Sequence, residues 1–269
     1  MPELPEVETI VRDLRGFLSG KTITGVSFLR RSVWRRKVKD SQLAGAEIRR
    51  LERKAKNILI YLSNDLVLII HLKMTGRLTY ENPSAPLKKH THFIAELSDG
   101  CQLRFNDIRR FGYLDLAKVS DLDKLPYLAA LGPDALKIPR DDFIALLQNK
   151  KRIVKSLLLD QTVIAGLGNI YSDEALFLAG IHPRRVSATL SRNKTAKLYD
   201  SVITVLNNAI NSRGSSIDDY VDASGSKGSF QDQHQVYGRD GEPCNKCRRI
   251  IKRETIGSRS SHFCPRCQK

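Results

Sequence analysis

The residues with the most specific spacing are four cysteines. Cys244 and Cys247 are followed, after sixteen intervening residues, by Cys264 and Cys267. Two CxxC turns each present a pair of thiolates, and two such pairs complete a tetrahedron of sulfur ligands around zinc. Because four protein ligands leave no position for water or substrate, the sequence predicts one structural zinc ion. A pair of disulfides is the alternative, which a reducing cytosol disfavours.

The segment between the two cysteine pairs predicts a basic β-hairpin, because polar and apolar residues alternate along it. Its basic residues include Arg248, Arg249, Lys252, Arg253 and Arg259. A metal-bound hairpin that carries arginines is suited to contact nucleic acid. The fifth cysteine, Cys101, stands apart, and we expect it to be a small buried core residue.

The charge of the chain indicates a polyanionic partner. The 269 residues include 45 Lys and Arg against 29 Asp and Glu, which gives a formal net charge of +16. This charge is clustered: residues 30–56 contain eleven basic and three acidic residues, and residues 239–269 contain nine and three. Such clusters favour a phosphate backbone or an anionic membrane surface. No basic amphipathic helix or lipidation signal supports a membrane, so we predict a nucleic-acid partner.

Composition favours a soluble cytosolic protein. Hydrophobic residues make up 41% of the chain and charged residues 28%, which is ordinary for a globular protein and argues against intrinsic disorder. The longest apolar run, residues 66–72, is far shorter than the about 20 residues that cross a bilayer. Residues 1–10 contain three glutamates and no Lys or Arg, unlike a signal peptide. We therefore expect a cytoplasmic protein without membrane contact.

The elements that position these residues change character along the chain. Apolar residues recur at helical spacing from Val7 to Leu18, which predicts an N-terminal amphipathic helix. Short alternating segments then predict a β-sandwich or barrel. They are residues 22–28, 47–51, 58–62, 66–72, 92–97, 102–105 and 113–116. From residue 141 onward the pattern is helical, in segments 143–148, 154–159, 169–179 and 191–211. The fold class is therefore α+β.

Four separated motifs resemble those of one protein family. They are Met1-Pro2-Glu3-Leu4-Pro5-Glu6-Val7-Glu8-Thr9, Asp107-Ile108-Arg109-Arg110-Phe111-Gly112, Gly166-Leu167-Gly168-Asn169-Ile170-Tyr171, and the four-cysteine tail. In content and order these motifs are similar to those of bacterial formamidopyrimidine-DNA glycosylases. Leu4 resembles this branch rather than the related endonuclease VIII branch, where glycine is usual.

The resemblance implies a two-lobed α+β enzyme. An N-terminal β-sandwich with the N-terminal helix would span residues 1–130, a linker and the start of the helical domain residues 131–150, and a helix–two-turn–helix domain residues 151–223. A mobile loop over residues 224–238 and a zinc-finger hairpin over residues 239–269 would follow. The resemblance further implies a monomer that acts on double-stranded DNA containing oxidised purines in the bacterial cytoplasm, without an organic cofactor.

The resemblance assigns catalysis to four residues. Removal of Met1 would leave Pro2 as a secondary amine, and a reference pKa of about 7.7–8.0 leaves part of it nucleophilic at neutral pH. Its attack on the anomeric sugar carbon would expel the base and leave an iminium that promotes elimination of both phosphates. Glu3 would transfer a proton during sugar-ring opening, Lys56 would donate one in β-elimination, and Arg259 would assist δ-elimination.

Eight further residues match positions at which the family contacts DNA. They are His71, Met74, His90, Arg109, Phe111, Lys150, Lys155 and Asn169. A base inside a duplex is extruded before its sugar can be attacked, and Met74, Arg109 and Phe111 match the residues that fill the gap. Lys73 and Ile108 stand where the family usually has glycine and proline. Residues 215–231 would close over the extruded base.

Two alternatives remain on the residues alone. An endonuclease VIII-like glycosylase for oxidised pyrimidines is the first. A zinc-ribbon DNA-binding protein without catalysis is the second, and it explains the basic clusters and the cysteines equally well. That second alternative does not require Pro2, Glu3 or Lys56, each of which has an ordinary structural role as a helix-starting residue or a solvated lysine.

Overall fold

Two compact units make up the part of the chain that the computed structural model describes, residues 1–217 and 219–269. The first unit combines residues 1–129 with residues 212–229, and the second combines residues 130–211 with residues 230–269. Asp218, which belongs to the segment expected to close over the base, lies outside the described residues.

Eight strands form the centre of the first unit. They are β1 (Ile23–Ser27), β2 (Ile48–Lys54), β3 (Asn57–Leu62), β4 (Leu66–His71), β5 (Gly76–Glu81), β6 (Thr91–Leu97), β7 (Gln102–Asp107) and β8 (Tyr113–Lys118). Within the described residues they make two antiparallel sheets, in the orders β1-β6-β7-β5 and β2-β3-β4-β8. Apolar side chains of both sheets share one core, so the predicted β-sandwich is confirmed.

Two helices belong to the first unit, α1 (Leu4–Leu18) and the single turn α2 (Pro126–Ala129). The apolar stripe of α1 is buried, as its helical spacing predicts, and the helix packs against β2, β3 and β5. The stripe consists of Val7, Ile10, Val11, Leu14 and Leu18. The chain leaves the helix through Gly20, whose φ of +78° favours glycine.

Residues 212–229 join the first unit through charged and main-chain contacts. The Arg213 guanidinium pairs with the carboxylate of Asp13 on α1 at 2.6 Å. The Ser215 N–H donates to Glu6 Oε1 at 2.8 Å. These contacts bring into the first unit a segment that sequence reasoning divides between a helical domain and a mobile loop.

The second unit contains four helices and a hairpin among its described residues. They are α3 (Arg140–Gln148), α4 (Val154–Leu159), α5 (Asn169–Ala179), α6 (Arg192–Asn211), β9 (Lys252–Ile256) and β10 (Arg259–Phe263). The bounds of α4 and α5 are the predicted ones, and residues 160–168 form the turns between them. The antiparallel pairing of β9 with β10 confirms the predicted hairpin. Among the described residues, no helix has the length and hydrophobicity needed to cross a membrane.

Two expectations about the first unit were wrong. Strand β5 was not predicted, because its segment begins at Gly76 and offers only a short alternation beside a turn. Cys101 was expected in the core but is partly exposed. It follows the Asp99-Gly100 turn, where Gly100 has a φ of +81°, and directly precedes β7, so it lies at the end of a strand.

Replacing Gly16 by alanine should stabilise the first unit by about 0.5–1 kcal/mol, because glycine inside a helix costs that much relative to alanine. A Cβ at Gly16 would meet no atom within 4 Å. Unfolding in urea can be followed by tryptophan fluorescence, since the single tryptophan, Trp34, lies in this unit's core. Gly76→Ala is the matched control and should destabilise, because its Cβ would lie 2.4 Å from the Leu72 carbonyl oxygen. An unchanged midpoint for Gly16→Ala would contradict the helix geometry.

Candidate functional site

The first candidate site residues lie at the start of α1. Pro2 is buried, and Glu3 and Glu6 are only 2% and 1% exposed. Glu6 Oε2 accepts the Glu3 N–H at 2.8 Å, while its Oε1 accepts the Ser215 N–H. Glu6 thereby holds the backbone directly after Pro2 and joins it to residues 212–229.

Lys56 lies in the tight turn between β2 and β3, where Ala55 has a φ of +54°. Arg53 holds this turn: its Nε donates to Glu8 Oε2 at 2.7 Å and its Nη1 donates to the Ala55 carbonyl oxygen at 3.0 Å. Burial raises the pKa of Glu8, but the arginine hydrogen bonds outweigh it and hold the pKa below its usual value. A partly buried ion pair therefore connects α1, which carries Glu3, to the turn that carries Lys56.

His71 ends β4 and pairs across the sheet with Asn57, the residue after Lys56. Burial and then neighbouring positive charge lower the pKa of His71 to about 3. The charges belong to Lys73, Lys56 and Arg35. The Lys73 N–H donates to His71 Nδ1 at 3.0 Å, so the proton of the neutral ring sits on Nε2. His71 is thus a neutral donor in a cationic cluster, which suits a phosphate oxygen.

Met74, Arg109 and Phe111 lie on two loops of the first unit, residues 72–75 between β4 and β5 and residues 108–112 between β7 and β8. Phe111 is 55% exposed, and the Arg109 guanidinium lies 4.8 Å from the centre of its ring. Met74 is half-buried. An exposed aromatic ring beside an arginine is suited to insertion between bases.

Lys73 keeps the backbone shape that glycine provides at this position in the family that the sequence resembles. Its φ is +53°, in the left-handed region that glycine adopts at no steric cost. The departure from glycine therefore leaves the turn after β4 intact and adds a positive charge beside His71.

Only one of the two neighbouring histidines of the first unit is available to a ligand. His92 is 4% exposed, and its Nε2 is 2.8 Å from the Asp107 carbonyl oxygen. His90 lines an open cavity of about 310 Å³ whose wall is strongly basic. The basic residues of that wall are Arg30, Lys89 and Arg110.

Asn169 is the first residue of α5 in the second unit. The turns before it are held by Gln161, whose side chain accepts the Gly166 N–H at 3.0 Å and donates to the Leu167 carbonyl at 2.8 Å. The Asn169 Oδ1 is buried and has no hydrogen-bond partner among the described residues. The main-chain N–H groups of this helix N-terminus suit the phosphate contact expected of Asn169, for which the side chain would present its amide NH2 rather than the Oδ1 acceptor.

Lys155, which matches a DNA-contact position, is buried in this structure. The side chain is fully buried, and its Nζ lies 2.6 Å from Asp173 Oδ1 and donates to the Ser260 carbonyl at 2.7 Å. Asp173 also accepts the His262 N–H at 2.9 Å. Burial of a charge is tolerated only with such partners. Lys155 therefore joins α4 and α5 to the hairpin in this conformation and supports it from inside.

Lys150 and Arg259 are accessible in the second unit. Lys150 is partly exposed between α3 and α4. Arg259 is exposed at the first position of β10, directly after the turn at Gly257, whose φ is +61°. Arg184 supports the hairpin from its side, since its Nε donates to Glu254 Oε2 at 2.8 Å. The hairpin thus presents Arg259 on a supported turn.

The four cysteines come together as the spacing predicts. Their sulfur atoms all lie within 4.8 Å of one another, with Cys244 and Cys267 at 3.9 Å and Cys247 and Cys264 at 3.5 Å. Four sulfurs at 2.3 Å from a tetrahedral zinc ion would be separated by about 3.8 Å. The donor set therefore fits one structural zinc ion.

Sequence reasoning missed the residues that hold the loops of the first unit. Thr75 and Asp107 connect the loops that carry Met74, Arg109 and Phe111, through hydrogen bonds that span 32 and 34 residues of sequence. The signal available was the aspartate before the Ile108–Gly112 turn, since aspartate side chains commonly accept the N–H groups of the residues that follow. Nothing in the sequence indicates that Thr75 shares that carboxylate.

Comparison with known families accounts for nearly the whole chain. The model of the formamidopyrimidine-DNA glycosylase N-terminal domain matches residues 1–114. The model of the formamidopyrimidine-DNA glycosylase H2TH domain matches residues 131–221, and a zinc finger found in FPG and IleRS matches residues 241–269.

Individual relatives agree with these matches. The formamidopyrimidine-DNA glycosylase of Desulforamulus reducens is 44% identical over 275 residues, covering 100% of this chain and 99% of its own. That of Solibacter usitatus is 45% identical over 273 residues, with full coverage of both chains. Among solved structures, Lactococcus lactis Fpg in complex with DNA containing an abasic site superposes with a TM-score of 0.92 at 35% identity, again covering both chains completely.

The imidazole of His71 should stay neutral, without titrating, at pH values near 7. The folded pKa of about 3 is below the ordinary 6.5, so the unfolded chain binds the extra proton between these pH values. The stability contributed by neutral His71 is therefore complete above pH 6.5 and is lost as the pH falls toward 3. Histidine NMR should show an Nε2–H tautomer between about pH 5 and 8, with His71→Gln identifying the resonance. A midpoint near 6.5 would contradict the buried cluster.

Removing one zinc ligand should disable the hairpin alone. Cys264→Ser should lose the single zinc, measured by metal release, and weaken DNA binding about tenfold or more, because the hairpin loses its tetrahedral anchor. Cys101→Ser is the matched control, since Cys101 lies outside the cluster. Unfolding of the first unit, reported by Trp34, should be unchanged in both variants. Retention of zinc by Cys264→Ser would contradict the four-thiolate assignment.

Proposed function

The chain belongs to the formamidopyrimidine-DNA glycosylase family, and from this membership and the geometry of its sites we propose a mechanism in which Pro2 is the nucleophile. The protein is a base-excision-repair DNA glycosylase that removes oxidised purines from DNA. The observation that carries the mechanism is the buried start of α1, where the Glu6 carboxylate accepts the Glu3 N–H directly after the buried Pro2.

The proposed reaction begins at the N-terminal amine. With Met1 removed, the nitrogen of Pro2 attacks the anomeric carbon of the damaged nucleotide, and the bond from that carbon to the base breaks. The bond from the anomeric carbon to the ring oxygen then breaks as that oxygen takes up a proton, which leaves an iminium. Because the nitrogen of proline in this iminium carries no hydrogen, the iminium cannot be neutralised and draws electrons from the sugar. Loss of a proton from the adjacent sugar carbon expels the 3′ phosphate, and a second elimination expels the 5′ phosphate. Water then releases the sugar remnant and regenerates Pro2.

Three side chains are proposed to move protons or bind phosphate during these steps. Glu3 lies beside the amine and transfers a proton as the sugar ring opens. Lys56, on the turn that Arg53 holds, donates a proton in the β-elimination. The exposed Arg259 binds the phosphate that leaves in the δ-elimination.

The proposed DNA contacts divide by chemistry. His71, His90, Lys150 and Asn169 bind phosphates, which is consistent with the cationic surroundings of His71 and the basic wall around His90. Met74 and Phe111 fill the gap left by the extruded nucleotide, and Arg109 hydrogen-bonds the orphaned partner base. Residues 215–231 cover the extruded base. Lys155, buried against Asp173 and the Ser260 carbonyl, is proposed to support the hairpin.

The Lactococcus lactis relative was solved with DNA containing Fapy-dG and with DNA containing an abasic site. We propose the same substrate class for this chain: double-stranded DNA with formamidopyrimidine or 8-oxoguanine lesions. We further propose that the protein acts as a monomer in the bacterial cytoplasm, on nucleoid DNA.

Covalent trapping tests the nucleophile and the reaction class together. Borohydride should reduce the iminium on an 8-oxoguanine:cytosine duplex, and mass mapping should place the adduct on Pro2. Pro2→Gly should retain DNA affinity and lower excision on the order of 100-fold, because the permanently charged iminium is lost. An adduct on a lysine, or unchanged excision by Pro2→Gly, would remove Pro2 from the mechanism.

A tag fused before Pro2 provides the matched control, because Pro2 then becomes an internal amide without nucleophilic character. The fused chain should bind DNA without excising, and proteolytic release of Pro2 should restore the activity in the same preparation. Thymine glycol substrates test the related pyrimidine-specific activity. Faster release of thymine glycol than of 8-oxoguanine would contradict the purine preference.

A further inference from the structure

We propose that Asp107 and Thr75 form a clasp that sets the positions of both DNA-inserting loops, and that this clasp is required for base extrusion. The wedge loops are residues 72–75, which carry Met74, and residues 108–112, which carry Arg109 and Phe111. The inference rests on the wedge role given to these loops in the proposed function.

The clasp is centred on one buried carboxylate. Asp107 is 0% exposed and ends β7, directly before the second wedge loop. Its Oδ1 accepts the Arg109 N–H at 3.2 Å, and its Oδ2 accepts the Gly112 N–H at 2.7 Å. The two oxygens therefore hold both ends of the loop that carries Arg109 and Phe111.

Thr75 extends the clasp to the first wedge loop. Its hydroxyl donates to Asp107 Oδ1 at 2.5 Å and accepts the Arg109 N–H at 3.0 Å. The hydroxyl thus donates its one proton to Asp107 and accepts the Arg109 N–H with a lone pair. Thr75, the residue after Met74, is in this way joined to the backbone of Arg109. The two loops are separated by more than 30 residues of sequence, and this side chain connects them directly.

The surrounding backbone is shaped to permit these contacts. A Cβ on Gly112 would lie 3.0 Å from Asp107 Oδ2 and 2.9 Å from Phe105 Cζ, so only glycine approaches the carboxylate this closely. Arg110, between the two anchored N–H groups, has a φ of +60°. A non-glycine residue in that conformation persists where surrounding contacts determine it, and the Asp107 hydrogen bonds supply them.

The partners of Asp107 indicate that its carboxylate holds the wedge loops in position. Among the described residues, its carboxylate contacts the hydroxyl of Thr75 and two main-chain N–H groups, and no Lys or Arg pairs with it. Burying a carboxylate has a large desolvation penalty, and no cation within the described part of the chain offsets it here. The described contacts of this carboxylate thus all serve to hold the wedge loops.

The consequence for DNA follows from this geometry. To unstack a base pair, Met74 and Phe111 have to enter the helix together while Arg109 meets the partner base, so the two loops have to keep a fixed separation under load. Without the clasp, each loop moves independently, and the inserted side chains no longer keep their positions between the bases. Extrusion then fails while the chemistry at Pro2 remains intact.

The experiment compares Thr75→Val with Thr75→Ser, since valine keeps the branched shape but loses the hydroxyl, and serine keeps the hydroxyl. Single-turnover excision of 8-oxoguanine opposite cytosine is compared with strand cleavage at a preformed abasic site, where no damaged base has to be unstacked. Thr75→Val should lower 8-oxoguanine excision at least tenfold and abasic-site cleavage less than threefold. Thr75→Ser should stay within threefold of wild type on both substrates.

A fluorescent base measures extrusion itself. With 2-aminopurine beside the lesion, wild-type protein should produce a rise in fluorescence as stacking is lost, and Thr75→Val should reduce the rate of that rise by the same factor as excision. Asp107→Asn, which replaces one acceptor oxygen by a donor, should behave like Thr75→Val. Both variants should also discriminate less between cytosine and adenine opposite the lesion, because Arg109 is no longer held.

Wild-type excision by Thr75→Val would overturn the clasp, and so would an equal fall in excision and abasic-site cleavage or a fall in excision with an unchanged fluorescence rise. An equal loss of excision in Thr75→Val and Thr75→Ser also rejects the proposal. Trp34 fluorescence during urea unfolding shows whether a variant has merely unfolded. The wild-type arms test the proposed function separately: wild-type protein that neither excises 8-oxoguanine nor cleaves abasic sites would refute the glycosylase-lyase mechanism itself.

Discussion

The Glu6 carboxylate is the contact on which the arrangement of the first unit depends. One oxygen accepts the N–H of Glu3 and the other accepts the N–H of Ser215, so a single buried group fixes the start of α1 and recruits residues 212–229. An uncompensated buried carboxylate is costly, and here the main-chain donors stabilise it. Because Pro2 directly precedes Glu3, the same contact sets where Pro2 lies.

Buried acids that accept main-chain N–H groups hold several of the functional segments of this protein. Asp107 holds the loop of Arg109, Asp173 accepts the N–H of His262 in the hairpin, and Glu174 accepts three consecutive N–H groups before the first cysteine pair. A main-chain N–H is present in every residue type except proline, so these contacts constrain loop shape while leaving most side chains of the loop free to meet a ligand. The main chain of each loop thereby provides the rigid support, and its side chains provide the contact surface.

Elements with strong periodicity or metal-ligand spacing could be predicted from the sequence. Residue spacing can be read directly from the sequence. It determines the apolar stripe of α1, the bounds of α4 and α5 and the cysteine cluster. Strand β5 and the partly exposed Cys101 depend on pairing across a sheet and could not be read in this way. Lys155 matched a DNA-contact position but is buried, because its partner Asp173 comes from another helix. The roles of the individual site residues remain proposals.

The first unit is assembled from two stretches of sequence separated by residues 130–211. A ribosome that has released only residues 1–129 has produced both sheets but none of the contacts that Ser215 and Arg213 make with α1. Those contacts form only after most of the second unit has emerged, since proteins are synthesised from the N-terminus. The start of α1 is therefore synthesised well before the segment that completes its surroundings. Translation order by itself delays the finished N-terminal site until nearly the whole polypeptide has been made.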